Sequence, residues 1–157
     1  MKLKIMNLSD ILSEESICLE LKSQNKRDAI HEMASMLAAT GKVESVEVLV
    51  NALMEREHIQ TTGIGHGMAI PHATAEGVKG LNLVLGISHS GVEFDSLDRQ
   101  QVHLIFLLAG EPRLHTSFLS ILSKISRFFR KETFRHQVLA AKSEKAIIQL
   151  IRSREEQ

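Results

Sequence analysis

Val102–Leu108 is a nearly continuous apolar run, VHLIFLL, with Ile105 and Phe106 at its centre. A short apolar run bounded by turn residues reads as a strand, and one that is apolar at odd and even positions alike must be covered on both faces. Leu81–Ser88 makes the same demand more weakly. Leu81, Leu83, Leu85 and Ile87 alternate along one face, while Val84 fills the other. A sheet holding such strands needs a layer on each side. The spacing elsewhere supplies helices for both layers, which predicts an α/β fold with a mixed central β-sheet flanked by helices on both faces.

The predicted helices come before and after these two strands. Asn25 caps a helix from about Lys26 to Ala39, with Ala29, Ile30, Met33, Met36 and Leu37 as its apolar stripe and Gly41 as its stop. A second starts near Ser45, turns Val46, Leu49, Val50 and Leu53 inward, and runs to about Glu57. Pro112 opens a long helix whose inward face is Phe118, Leu119, Leu122, Ile125 and Phe129. Phe134–Ala141 and Glu144–Ile151 close the chain, with Ser143 as a cap between them and Arg152–Gln157 as a frayed tail. At the other end, Leu8–Leu12 reads as a short turn capped by Ser9 or Asp10. Ile17, Leu19 and Leu21 then alternate as in a strand, with Cys18 on the opposite face.

A chain of 157 residues is expected to form one domain, 1–157, with a core over about 8–151. Lys plus Arg and Asp plus Glu balance at 19 each, so no bulk charge favours nucleic acid or an anionic membrane. With no Trp or Tyr, stacking platforms for bases are scarce. No apolar run is long enough to span a membrane, the N-terminus lacks the apolar stretch of a secretory signal, and the single Cys18 has no partner for a disulfide. The expectation is a soluble cytoplasmic protein without direct membrane insertion. Nothing near Cys18 would depress its pKa, so it reads as a packed or half-exposed thiol.

Thr61–Ala73, TTGIGHGMAIPHA, is the stretch that carries chemistry. Gly63, Gly65 and Gly67 alternate with Ile64, His66 and Met68, and glycines so placed permit positive φ and leave N–H groups to converge on an anion. Pro71 fixes its own φ and pushes Ile70 towards an extended backbone. The stretch predicts a glycine loop running into a strand, with His72 held just past the strand's end. It is no dinucleotide fingerprint, because it follows a helix and lacks the third glycine spacing, and no Walker loop, because no Gly-Lys-Ser/Thr is present. His66 and His72 lack the further ligands that a zinc site would need.

Thr62-Gly63-Ile64-Gly65 followed by Ala69-Ile70-Pro71-His72-Ala73 resembles the signature of the fructose/mannitol-type IIA domains of the bacterial phosphotransferase system. The free-standing form and the wording of the motif look most like the nitrogen-regulatory members. The resemblance implies that His72 takes a phosphoryl group from the carrier HPr or an HPr-like relative, with Thr62, Gly63 and Gly65 as a phosphate loop. Imidazole suits the task, being partly unprotonated at neutral pH and forming a bond labile enough to release the group. No metal or other cofactor is required, because the donor is itself a phosphohistidine.

Two further residues have alternative readings. Arg56 is either a solvated cation favoured at a helix C-terminus or a guanidinium reaching the phosphate on His72. The resemblance places Phe118 where many relatives carry a second histidine. His115 lies one helical turn earlier and on the same face, so it either supports His72 from there or is an exposed histidine of the first turn. Three functions follow from the resemblance. The first is a phosphocarrier whose phosphorylation state regulates a target protein. The second is a sugar-specific IIA that passes the group to a IIB cysteine, and the third is a binding module on the same fold whose histidine takes no phosphate.

Overall fold

The computed structural model describes residues 6–157. Residues 1–5, on which the reading of the N-terminus partly rests, lie outside the described residues. The elements run α1 (Leu8–Ile11), β1 (Ile17–Cys18), α2 (Lys26–Ala38), α3 (Val46–Ile59), β2 (Gly63–Gly65), β3 (Met68–Ala69), β4 (His72–Thr74), β5 (Leu81–Val92), β6 (Val102–Gly110), α4 (His115–Phe128), α5 (Glu132–Ala140) and α6 (Glu144–Glu155). A 3₁₀ turn, Pro112–Leu114, leads into α4. Asn25, Ser45 and Ser143 each accept the N–H of the residue three positions on, in α2, α3 and α6. Those side chains satisfy donors that a helix start leaves unpaired.

The sheet order is β1-β5-β6-β3-β2, and β4 also pairs with β6. β5 and β6 are antiparallel, β3 and β4 run parallel to β6, and β2 and β3 are antiparallel. The sheet is therefore mixed, as expected. β6 shows why it needs two covering layers. Leu104, Phe106 and Leu108 pack with Phe118, Ile121 and Ile125 of α4 and with α5 and α6. Ile105, Leu107 and Ala109 pack with Ile30 and Met33 of α2 and Leu49 and Leu53 of α3.

Four local expectations are corrected. The cap of α1 is Asn7, whose N–H donates to the Asp10 carboxylate at 2.9 Å. β1 ends after Cys18, and Leu21 donates its N–H to Ile87 O at 2.7 Å while its side chain packs on the α2–α3 side, opposite Ile17. β5 continues through an irregularity to Val92 instead of ending near Ser88. The tail is helical as far as Glu155, which accepts the Leu8 N–H at 2.6 Å and the Ser9 hydroxyl at 2.7 Å. Unpaired N–H groups at the start of α1 attract that carboxylate, and the contact orders the last turn of α6. Cys18 is half-buried, and burial pushes its thiol pKa up, which fits an unreactive side chain.

Candidate functional site

The glycine-rich stretch is a hairpin and not an open loop. His66 (φ 58°) and Gly67 (φ 74°) form the two-residue turn between β2 and β3, with both central residues left-handed as such a turn requires. Histidine tolerates that region better than a branched residue would. Gly63 meets a different constraint. A Cβ there would lie 2.9 Å from Ser96 Cα, so only glycine lets β2 approach this segment. Three of the N–H groups of this stretch already have acceptors. The Thr62 N–H donates to Glu57 at 2.9 Å, that of Gly63 to Thr61 Oγ1 at 3.1 Å and that of His66 to Asp98 at 3.2 Å. Each donor has been taken up in fixing the hairpin's path.

His72 is the first residue of β4 and not a residue beyond a strand. Pro71 has no N–H, and the strand pairing with β6 lapses over Ile70 and Pro71 and resumes where His72 faces Leu108. The half-buried imidazole lies with Nδ1 2.7 Å from the Ile70 carbonyl oxygen. A carbonyl only accepts, so this bond puts the ring proton on Nδ1 and leaves the Nε2 lone pair free. The Phe118 ring packs against the imidazole, centroids 5.7 Å apart and planes inclined at 59°. Burial is the main cause of a lowered His72 pKa; the Ile70 bond opposes it, the charge of Arg56 adds to it less strongly, and Glu57 opposes it least. Burial thus favours the uncharged ring, and in that ring the Ile70 bond leaves Nε2 as the unprotonated nitrogen.

Arg56 is in the last turn of α3, and its Nη1 donates to the Gln60 carbonyl at 2.8 Å. It thus occupies the helix C-terminal position expected of a solvated cation while its charge acts on His72. His115 is exposed at the first residue of α4, and the ring against His72 is that of Phe118, which is 4 % exposed. Thr62 and Gly63 are buried beside Glu57 and Ser96, and Gly65 is buried at the end of β2.

Sequence reasoning passed over Glu57 and Lys26. Glu57 is buried, with Lys26 Nζ 2.9 Å from it and the Thr62 hydroxyl donating to it. One signal was present. Glu57 follows Leu49 and Leu53 at four-residue spacing, which puts a carboxylate on the helix's apolar stripe. No pattern in the sequence pointed to Lys26, 31 positions earlier, as its partner.

The site is thus a strand-borne histidine in a mixed sheet, held through Nδ1 and acted on by the charge of an arginine. The family described as "Phosphoenolpyruvate-dependent sugar phosphotransferase system, EIIA 2" matches residues 10–154. A fructose-specific EIIABC component of Bacillus subtilis is 36 % identical over 93 % of this chain. The match spans only 23 % of that relative's length. A fructose-specific EIIA component of Haloferax volcanii is 31 % identical over 91 % of this chain and 93 % of its own length. The crystal structure of the nitrogen regulatory protein IIA-Ntr from Neisseria meningitidis superimposes with a TM-score of 0.85 at 26 % identity, covering 92 % of this chain and 98 % of that one. This chain belongs to the EIIA 2 family of the phosphotransferase system. The expected fold and family are both met.

Proposed function

We propose that this chain is a phosphohistidine carrier in which His72 Nε2 accepts a phosphoryl group from an HPr-like phosphocarrier protein. The observation that carries this reading is the 2.7 Å bond from Nδ1–H to the Ile70 carbonyl, which leaves the Nε2 lone pair unprotonated. In the transfer, the Nε2 lone pair attacks phosphorus while the donor's P–N bond breaks, and that bond's electron pair returns to the donor ring. Positive charge builds on the His72 ring as its lone pair is used, and the Ile70 carbonyl meets it. Charge on the transferred oxygens calls for a donor, and Arg56, from the last turn of α3, is the cation placed to supply one. Thr62, Gly63 and Gly65 shape the rim of the site through the hairpin. His115 is a candidate for a supporting role only through movement of the first turn of α4.

Downstream, the group's presence on His72 regulates binding to a target protein. Likeness to the nitrogen regulatory structure supports this reading. The fructose-specific names of the two relatives favour a second one, in which the group passes to a IIB domain of a sugar permease. Among the described residues no helix is long and apolar enough to cross a membrane, so a permease partner would supply the spanning part.

Intact-mass analysis after incubation with phosphoenolpyruvate, enzyme I and HPr or its nitrogen-branch relative tests the carrier reading. One acid-labile phosphoryl adduct is expected, and it should vanish in His72→Ala. No adduct with either donor would reject the carrier reading in favour of a binding module. Onward transfer from the labelled protein to a purified IIB domain would select the sugar-specific reading, and its absence the regulatory one.

A further inference from the structure

Glu57 is a buried carboxylate with three donors on it. Lys26 Nζ lies 2.9 Å from Oε1, the Thr62 N–H donates to the same oxygen at 2.9 Å, and the Thr62 hydroxyl donates to Oε2. Its side chain is 1 % exposed and that of Lys26 16 %. Lys26 also donates to Thr61 Oγ1 at 3.0 Å and stands 4.9 Å above the Phe94 ring, so its own position is fixed. The chain of bonds continues past Thr62. The Ile70 N–H donates to Thr62 O at 3.1 Å, and the Ile70 carbonyl accepts the His72 Nδ1–H at 2.7 Å. Lys26, Glu57, Thr62, Ile70 and His72 therefore form one continuous hydrogen-bonded path from α2 to the imidazole.

We infer that Glu57 is the positioning residue of this site, holding the His72 tautomer and ring orientation through Thr62 and Ile70, with Lys26 as the paired cation that fixes the carboxylate in place. Two physical arguments support this. A buried carboxylate is costly unless it is paired and hydrogen-bonded, and here α2 and the chain leaving α3 supply every partner. The bond accepted from Thr62 N–H fixes the backbone one residue before β2. Thr62 O is in turn the acceptor that aligns Ile70 before Pro71, where no N–H is available to align the next residue. A shift of Thr62 therefore reaches the one carbonyl that holds His72. Arg56, the preceding residue, points instead to the surface carbonyl of Gln60. Successive residues of the last turn of α3 thus differ in direction, Arg56 lying at the surface and Glu57 buried behind the histidine.

The inference concerns the histidine on which the proposed function rests, but its test does not require phosphoryl transfer. The His72 ring nitrogens are read by ¹⁵N NMR in the unphosphorylated full chain at a pH where the imidazole is neutral. The wild type should show the Nδ1–H tautomer. Glu57→Gln should show a mixture of tautomers with an otherwise native spectrum. Where a donor protein labels the wild type, the Glu57→Gln turnover number should fall by up to about a hundredfold, the size expected of a small misplacement, with KM for the donor unchanged. Thr62→Val removes only the hydroxyl bond to Glu57 and serves if Glu57→Gln does not fold. It should mix the tautomers in the same way, and Thr62→Ser should restore the wild-type signature. A wild-type tautomer in folded Glu57→Gln, or in Thr62→Val, would overturn the inference. A mixed tautomer in a protein that accepts no phosphoryl group would uphold it while rejecting the carrier function.

Discussion

His72 stands between two unlike walls. On one side is a polar path through Ile70 and Thr62 to the buried Glu57–Lys26 pair. On the other is the Phe118 ring, part of the same apolar cluster as Phe106 and Ile121. The polar wall has direction, so it selects which ring nitrogen holds the proton. The apolar wall has none, and it acts by excluding water, which disfavours the charged imidazolium. Tautomer and protonation are separate requirements of a nucleophilic histidine, and here opposite sides of the ring meet them.

Removing the apolar wall should give the largest effect. Phe118→Ala is expected to cost about 3–5 kcal/mol of stability, as large aromatic truncations in cores do, read as a shift in the denaturant midpoint. In the variant that remains folded, the His72 pKa should rise towards that of a free imidazole, because water replaces the ring. An unchanged titration would assign the lowered pKa to Arg56 alone.

Arg56→Ala separates the charge from the walls. It should slow phosphoryl acceptance on the order of tenfold, the loss of about one charge-assisted hydrogen bond, without unfolding the domain. An unchanged rate in single-turnover labelling would remove Arg56 from the site.

A smaller effect is expected in the pH dependence of stability. The folded-state pKa of His72 lies below that of the unfolded chain. Between the two values the unfolded chain binds the extra proton, so stability rises with pH across that window and is lost as pH falls through it. His72→Gln should flatten this acid limb in a series of chemical denaturation curves, and an identical slope would mean that burial does not act on the ring. His115→Ala should have the smallest effect, a change of less than about twofold in labelling rate, because Phe118 holds the place against His72. A larger drop would return His115 to the supporting role.

The sheet and its layers were legible because β6 announces itself. Six apolar residues in a row, Leu104 to Ala109, force cover on both faces, and the helical stripes of Leu49, Leu53, Phe118 and Ile125 supply that cover. His72 was legible too, through Pro71 before it and the glycines upstream. The hairpin was not read correctly, because alternate glycines are as compatible with an open anion loop as with a tight turn. What decided between them was pairing with β6 and the approach of Ser96, contacts from 30 or more residues away. The last turn of α6 was misjudged for the same reason, its partner being at the far end of the chain.

Sequence alone therefore determined the layers and the strand at the centre and singled out His72 as the candidate nucleophile, because periodicity, local backbone chemistry and a short motif act over a few residues. Only the tertiary structure decided that Nδ1 carries the proton, that Phe118 and not His115 faces the imidazole, and that Glu57 and Lys26 stand behind it. Those outcomes depend on hydrogen bonds and burial between segments far apart in the chain, and a residue's neighbours in sequence carry no record of them.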